Sequence, residues 1–405
     1  MPRKKLAIIL GIRPDVIRAS LVLNAIRKRT DIDVTFIWSG QHYSENLKDV
    51  FFRELGVAAP EIELGAGGTT DAEVVGAVVR NLYPVLEQLQ PEAAIFLGDT
   101  NTVMGCLAAA QNNTPIVHIE GCMRAYDWRM PEEKYRTTID HLSDVIYTYF
   151  NEYKAQGVAE GLNPGSIVVV QNLIVDVLQH YYFDRKAKYD EMATEAFFRD
   201  RGLECGQYYL MTCHRRENVH DHVNLTNVVK LLAATDRTVY FTASYRTQKQ
   251  LTAYGLSLPS NVRMVDPIGY DEMLTLLVNA RGVITDSGTV VEETAVLQVP
   301  SLQVRRATER PQVYDCRSSV KFDPSALDRY PVDLVLHKLE SLHGTNWEHD
   351  LGDGHASDRI VADLVERTLS ADGFHNHLPE RYHLDISRSY SEDGLPTESN
   401  VSTKT

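Results

Sequence analysis

Four short apolar runs punctuate the first 120 positions: residues 6–10 (LAIIL), 34–38 (VTFIW), 93–97 (AAIFL) and 116–119 (IVHI). Each is closed by a glycine or a polar residue, at Gly11, Ser39-Gly40, Gly98-Asp99 and Glu120. Uninterrupted apolar runs of this length fit parallel strands covered on both faces. The stretches between them have helical spacing. Residues 14–28 carry Val16, Ile17, Leu21, Leu23 and Ile26, and residues 45–54, 71–89 and 101–111 read as further helices. Another helix starts at Pro131, where a missing N–H costs nothing and Glu132 and Glu133 suit the helix dipole. Residues 166–170 are expected to be the last strand of this half, with a helix over 175–185 leaving it. Strands alternating with helices predict a parallel sheet flanked on both sides.

The scheme then repeats. A polar stretch over 186–207 leads to strands at 208–212, 238–241, 262–265, 282–285 and 301–304, with helices at 223–234, 270–280 and 292–298. The fold class is therefore α/β, with two Rossmann-like doubly wound domains in tandem and one cleft between them. The expected limits are 1–185 for the first domain and 186–355 for the second, with a helix over 356–370. The polar segment 371–405 has a composition that buries little and reads as a disordered or loosely docked tail.

Composition narrows the function. The chain has 405 residues, 43% of them hydrophobic and 24% charged, and a net charge of −14. That balance argues against a nucleic-acid partner but leaves room for an anionic ligand held by a local arginine cluster. Five scattered cysteines without CxxC spacing indicate reduced thiols in a cytoplasmic protein, with neither a disulfide framework nor a zinc site. The basic N-terminus runs into an apolar stretch that stops at Gly11, as a first strand does and a signal peptide does not. No apolar run is long enough to span a membrane.

Ligands of doubly wound sheets bind beyond the carboxyl ends of the strands. Arg13, Gln41, His42, Asp99 and Glu120 all follow strand ends. Glu132, at the start of the Pro131 helix, is carried toward the same region, and its spacing from Arg136 allows an i,i+4 pair. On pattern alone this stretch fits a capped surface helix as well as a site. Ser287, Gly288 and Thr289 form a strand-to-helix turn whose N–H groups suit phosphate. Arg13, Arg18, Arg215, Arg305 and Arg310 could supply cations to a diphosphate, or be solvated surface charge. Residues 65–70 (GAGGTT) lack the third glycine of a dinucleotide fingerprint. His214, His220 and His222 lack a carboxylate–histidine helix motif that would mark a metal site.

Taken together, several segments resemble the non-hydrolysing UDP-N-acetylglucosamine 2-epimerases and their relatives acting on modified UDP-2-acetamido sugars. They are Gly11-Ile12-Arg13-Pro14-Asp15, Gly40-Gln41-His42, Gly98-Asp99-Thr100-Asn101, His118-Ile119-Glu120-Gly121 and Met130-Pro131-Glu132-Glu133 with Arg136. The series continues with His214-Arg215-Arg216-Glu217-Asn218, Asp266-Pro267, Thr285-Asp286-Ser287-Gly288, Glu292-Glu293, Thr308-Glu309-Arg310-Pro311 and Gly352-Asp353-Gly354-His355-Ala356. The resemblance implies the GT-B arrangement, a final helix crossing back to the first domain, a homodimer, and a reaction needing neither metal nor cofactor. It implies catalytic roles for Asp99, Glu120 and Glu132 as acid–base carboxylates, with His214 and Arg136 beside them. It implies that UDP-sugar is bound by Arg13, Arg18, Gln41, His42, Arg215, Ser287, Gly288, Thr289, Glu293 and Arg310, with Glu293 on the ribose hydroxyls.

The implied reaction inverts C2 by eliminating UDP and adding it back through a 2-acetamidoglucal. A modified UDP-sugar substrate, a hydrolysing epimerase and a non-catalytic sugar-nucleotide binder remain alternatives. The chain departs from the family pattern at Cys122, Cys213 and Thr289-Val290-Val291, and in having Ser244-Tyr245-Arg246-Thr247 where a histidine segment is usual. The last departure puts allosteric control by a second substrate molecule in doubt. With Lys249 and the Asp127–Met130 loop, it leans toward the branch that takes modified sugars.

Overall fold

Leu6 to Leu10 are almost wholly excluded from solvent, which requires cover on both faces and on both edges of their strand. The computed structural model, which describes residues 3–40, 45–370 and 373–374, supplies that cover. Seven parallel strands form the first sheet: β1 (Lys4–Leu10), β2 (Ile32–Trp38), β3 (Ile62–Glu63), β4 (Ala93–Leu97), β5 (Ile116–Ile119), β6 (Val145–Thr148) and β7 (Ile167–Val169). Their spatial order is β3-β2-β1-β4-β5-β6-β7, with Leu6 opposite Val34 on one side and Ala93 on the other. The second sheet contains β8 (Tyr208–Thr212), β9 (Thr238–Thr242), β10 (Val262–Val265), β11 (Gly282–Thr285), β12 (Ser301–Val304) and β13 (Ser319–Phe322). It runs β10-β9-β8-β11-β12-β13, also wholly parallel.

Both sheets reverse their winding once, between β1 and β4 and between β8 and β11. A crevice opens at each such reversal, just beyond the strand ends. The two domains are Rossmann-like and adopt the GT-B arrangement, with their crevices facing one another. Three strands, β3, β6 and β13, go beyond those expected from the pattern. β3 has two residues and is defined by its pairing with β2, while β6 is a four-residue run directly behind the Pro131–Leu142 helix.

Helix Arg13–Arg27 shows how the core turns into a site. Its Val16, Ile17, Leu23 and Ile26 pack under the sheet, yet Asp15, Arg18 and Ser20 are buried as well. Asp15 is held at the helix start by accepting from the N–H groups of Gly11 and Ile12 at 3.4 and 3.3 Å.

Several contacts close the domains on each other. Glu54 of the first domain accepts from the N–H groups of Tyr270 (2.6 Å) and Asp271 (3.3 Å), capping helix Tyr270–Val278 of the second. The Tyr153 hydroxyl donates to the Glu309 carbonyl at 2.7 Å, and Arg216 pairs with Asp71. Helix Ala356–Leu369 lies in the same core as β1, with Ile360 and Leu364 fully buried and Tyr147 donating to Asp363 at 2.6 Å. Phe374 is buried in that core too; apart from Gly373 and Phe374, the residues from 371 onward lie outside the described residues.

Shortening Leu364 to Ala should remove about 2–5 kcal/mol of stability through lost burial and a residual cavity. Urea unfolding measures it directly. A change under about 1 kcal/mol would mean that this helix does not depend on the first-domain core.

Candidate active site

The ends of β1, β4 and β5 deliver Arg13, Asp99 and Glu120 to the first crevice, and helix Pro131–Leu142 adds Glu132, Glu133 and Arg136. Glu120 and Cys122 adopt φ of +75° and +64°, a left-handed backbone that is uncommon for residues with side chains and that folds the loop back over the strand end. From the second domain, β8 leads to His214 and Arg215, β11 to Asp286 and Ser287, and the segment after β12 brings Arg305, Glu309 and Arg310.

These groups form one ion-pair network across the domain boundary. Glu120 is buried, and its two carboxylate oxygens are engaged separately, one by Arg18 and the other by Arg310 of the opposite domain. Arg18 also meets Asp15 at 3.0 Å, and Arg310 meets Glu292 at 2.6 Å. Arg136 pairs with Asp99, with Glu133 at 2.6 Å, and across the cleft with Glu309 at 3.4 Å. Glu309 also takes Arg305 at 3.0 Å and Arg215 at 3.5 Å. Asp286 accepts from the N–H groups of His214 and Arg215 at 2.9 and 2.8 Å, and its other oxygen lies 3.4 Å from His214 Nδ1.

The network sorts its carboxyl groups. Burial works against ionisation of Asp99, but Arg136 and Arg215 overcome it and hold the carboxyl below its ordinary range. Burial likewise opposes Glu309, which four arginines hold well below. Glu132 goes the other way, raised by burial, with Arg215 only partly compensating. Glu293 rises to about 7, chiefly through burial. His214 opens to the cleft with 44% of its side chain exposed, yet the protein crowding its ring displaces enough water to lower its pKa, against the pull of Asp286.

The second domain also brings helix Gly288–Val296 to the cleft. Ser287 caps it, its hydroxyl accepting from Val290 N–H at 3.4 Å. Gly288 is required by close approach, because a Cβ there would stand 2.5 Å from Arg310 Nε. Arg310 therefore lies directly over a helix N-terminus, where N–H groups without intrahelical acceptors and a guanidinium face the same space. Diphosphate is the anion such a pairing suits.

A family model described as UDP-N-acetylglucosamine 2-epimerase matches residues 24–365. The chain belongs to the UDP-N-acetylglucosamine 2-epimerase family. The UDP-N-acetylglucosamine 2-epimerase of Methanocaldococcus jannaschii is 34% identical over 372 residues, covering 89% of this chain and 99% of the relative. A UDP-2,3-diacetamido-2,3-dideoxy-D-glucuronate 2-epimerase from Pseudomonas aeruginosa is 30% identical over 381 residues, covering 89% and 99%. The crystal structure of the Methanocaldococcus jannaschii epimerase in complex with UDP-GlcNAc and UDP superposes with a TM-score of 0.79 at 31% identity, again covering 89% and 99%.

Within this epimerase fold, most of the residues singled out in the sequence meet at the cleft: Asp99, Glu120, Glu132, Arg136, Arg18, His214, Arg215, Ser287, Gly288, Thr289 and Arg310. Gln41 and His42 lie outside the described residues. Arg13 reaches the opposite domain, donating to the Ile268 carbonyl at 3.3 Å and stacking 4.9 Å from the Phe51 ring. Glu293 is sequestered, accepting from the Tyr270 hydroxyl at 2.9 Å, so a ribose would have to share or displace that bond.

Two expectations need correction. Arg136 pairs with Glu133, three residues earlier, and not with Glu132; the i,i+3 contact wins because Arg136 must also reach Asp99 and Glu309. The reading of the arginines as solvated charge fails for Arg18, Arg305 and Arg310, which are 4%, 0% and 4% exposed. Glu309, Asp286 and Glu292 carry the network and had no role assigned from the pattern. The signal was available, since all three stand inside the segments that mark the family.

Glu293 makes a pH prediction. Its folded pKa of about 7 exceeds the ordinary 4.5, so the folded state binds more protons between those values and stability falls as pH rises through that window. Glu293→Gln should remove a contribution on the order of 3 kcal/mol between pH 4.5 and 7. Asp15, also raised to about 7 by burial, keeps part of the slope. Unfolding free energies measured across that range in the two proteins give the answer; parallel curves would contradict a buried, proton-holding Glu293.

Proposed function

We propose that this protein is a non-hydrolysing UDP-N-acetylglucosamine 2-epimerase that inverts C2 of a UDP-2-acetamido sugar. The observation that carries the reading is the meeting of Asp99, Glu120 and Glu132 with His214 and Arg310 at two facing crevices, in a chain of this family. A base removes the C2 proton, the C–H electron pair becomes the C1–C2 double bond, and the C1–O bond breaks to release UDP. Protonation of the opposite face of C2, with return of UDP to C1, gives the manno epimer.

The electrostatics support a division of labour. Asp99, held ionised by Arg136 and with 21% of its side chain open to the cleft, is suited to take a proton. Glu132, whose proton is retained to higher pH, is suited to supply one. Glu120 has both oxygens occupied and enters the chemistry once a diphosphate draws Arg310 toward the Gly288 helix terminus. His214 and Arg215, fixed through their N–H groups by Asp286, face the same leaving group.

A modified substrate is the second reading, favoured by the Pseudomonas aeruginosa relative and by exposed Arg246, whose charge helps lower the His214 pKa. Cytoplasmic residence and a homodimer belong to the same proposal; among the described residues no helix is long and apolar enough to cross a membrane.

Incubation with UDP-GlcNAc in deuterated water should place deuterium at C2 and yield a mixture of epimers. Exchange only with a diacetamido-uronate analogue would select the second reading, and free sugar with UDP would select a hydrolysing enzyme. Glu132→Gln, which keeps the shape and removes the proton, should slow epimerisation by about 100-fold or more. Near-normal turnover in that variant would sink the assignment.

A further inference from the structure

We propose that His118 and Asp140 form a positioning pair that sets the three acid–base carboxylates against one another; the proposal rests on the epimerase reading above. Both side chains are fully buried, so neither meets substrate. His118 Nδ1 lies 2.7 Å from Asp140 Oδ1, and its Nε2 lies 2.8 Å from the Gly98 carbonyl. With a carboxylate at one ring nitrogen and a carbonyl at the other, the ring is held from both sides. Gly98, at φ +79°, immediately precedes Asp99, so His118 fixes the peptide from which that carboxylate projects.

Asp140 reaches the other two. Its Oδ2 accepts from Cys122 N–H at 3.0 Å and from Arg124 Nη1 at 2.8 Å, which locks the left-handed turn that begins at Glu120. Asp140 also stands on the helix that carries Glu132, one turn beyond Arg136. One buried pair thus touches the three segments that bear Asp99, Glu120 and Glu132. Gly121 lies flat against it: a Cβ there would stand 2.7 Å from Asp140 Oδ1 and 3.0 Å from His118 Nδ1. Ordinary core packing does not require a polar pair at this point. Hydrogen bonds fix direction, which apolar contact cannot do, and a catalytic carboxylate tolerates little misplacement.

The test is His118→Gln, assayed with the UDP-2-acetamido sugar that the wild type epimerises. Turnover per folded molecule should fall by about 100-fold, with KM changed less than about 3-fold. Affinity for UDP alone should be unchanged, because the second domain holds the nucleotide. In an Asp99→Asn background the same substitution should cost clearly less than in the wild type, because part of its effect runs through Asp99. Full turnover in the single variant, or fully additive losses, would overturn the proposal. If His118→Gln does not fold, Asp140→Asn is read by the same criteria.

Amide hydrogen exchange, which needs no substrate, tests the pair independently. Residues 98–101, 120–124 and 131–142 should lose protection together; loosening confined to one of them would refute a shared pair. If the wild type exchanges deuterium into none of these sugars, the epimerase reading falls, and hydrogen exchange still judges the pair.

Discussion

Burying arginine is expensive, and this protein buries several at one place. Arg18, Arg136, Arg215, Arg305 and Arg310 share Asp15, Asp99, Glu120, Glu133, Glu292 and Glu309. Removing one such ion from water costs several kcal/mol even after relaxation, and attraction offsets this only when pairs are close and complete. Five guanidiniums face these six carboxyl groups, and Arg305 also lies 3.6 Å from Glu217. Part of the excess negative charge is relieved at Asp15, which holds its proton up to about pH 7. Deletions differ in cost: without Arg136 the carboxylate of Glu133 loses its ion-pair partner in this set, whereas Glu309 without Arg305 still has Arg136 and Arg215.

That constraint also shapes the fold around it. Arg310 belongs to the second domain and its partner Glu120 to the first, while Arg136 and Glu309 are matched in the opposite sense. The domains are therefore held together by the groups proposed to act on substrate. Glu54 on the Tyr270 helix and Arg216 on Asp71 add contacts at the margins, and helix Ala356–Leu369 ties the end of the described chain back to the first core. Two of the stretches that set this chain apart, at Trp128-Arg129 and Tyr245-Arg246, lie nearer the surface, while Cys122 and Cys213 are buried. Asp127 links Arg129 at 2.7 Å and Arg306 at 3.3 Å, leaving Trp128 62% exposed beside the cleft. Arg246 is exposed as well.

Much of this was legible in the sequence because strand ends are local events. A run such as LAIIL followed by Gly11 announces a buried strand and its exit, and so Arg13, Asp99 and Glu120 could be assigned to one region. β3 and β13 were missed because strand pairing defines them more than their own pattern does. The partner of Arg136 was misread for a related reason. Helical spacing allows Glu132 and Glu133 alike, and the choice is made by Asp99 and Glu309, which are distant in sequence. Burial of the arginines was equally hidden, since a guanidinium is buried only when carboxylates from several segments converge on it. Glu309, the residue on which the most cations converge, has only a short motif to mark it.

The same electrostatics connect binding to chemistry. Both carboxylate oxygens of Glu120 are engaged by guanidiniums, so neither is open to another partner while the two pairs hold. A diphosphate offers Arg310 more negative charge than Glu120 does, beside the N–H groups of the Gly288 helix. In the proposed reaction, Arg310 turning to that anion would free one oxygen of Glu120 while the leaving group is being secured. On that proposal each domain holds a group of the other until the nucleotide arrives. It gives a physical reason for dividing an acid–base site between two domains: the carboxylate at C2 would come free only when the diphosphate that is to depart is in place.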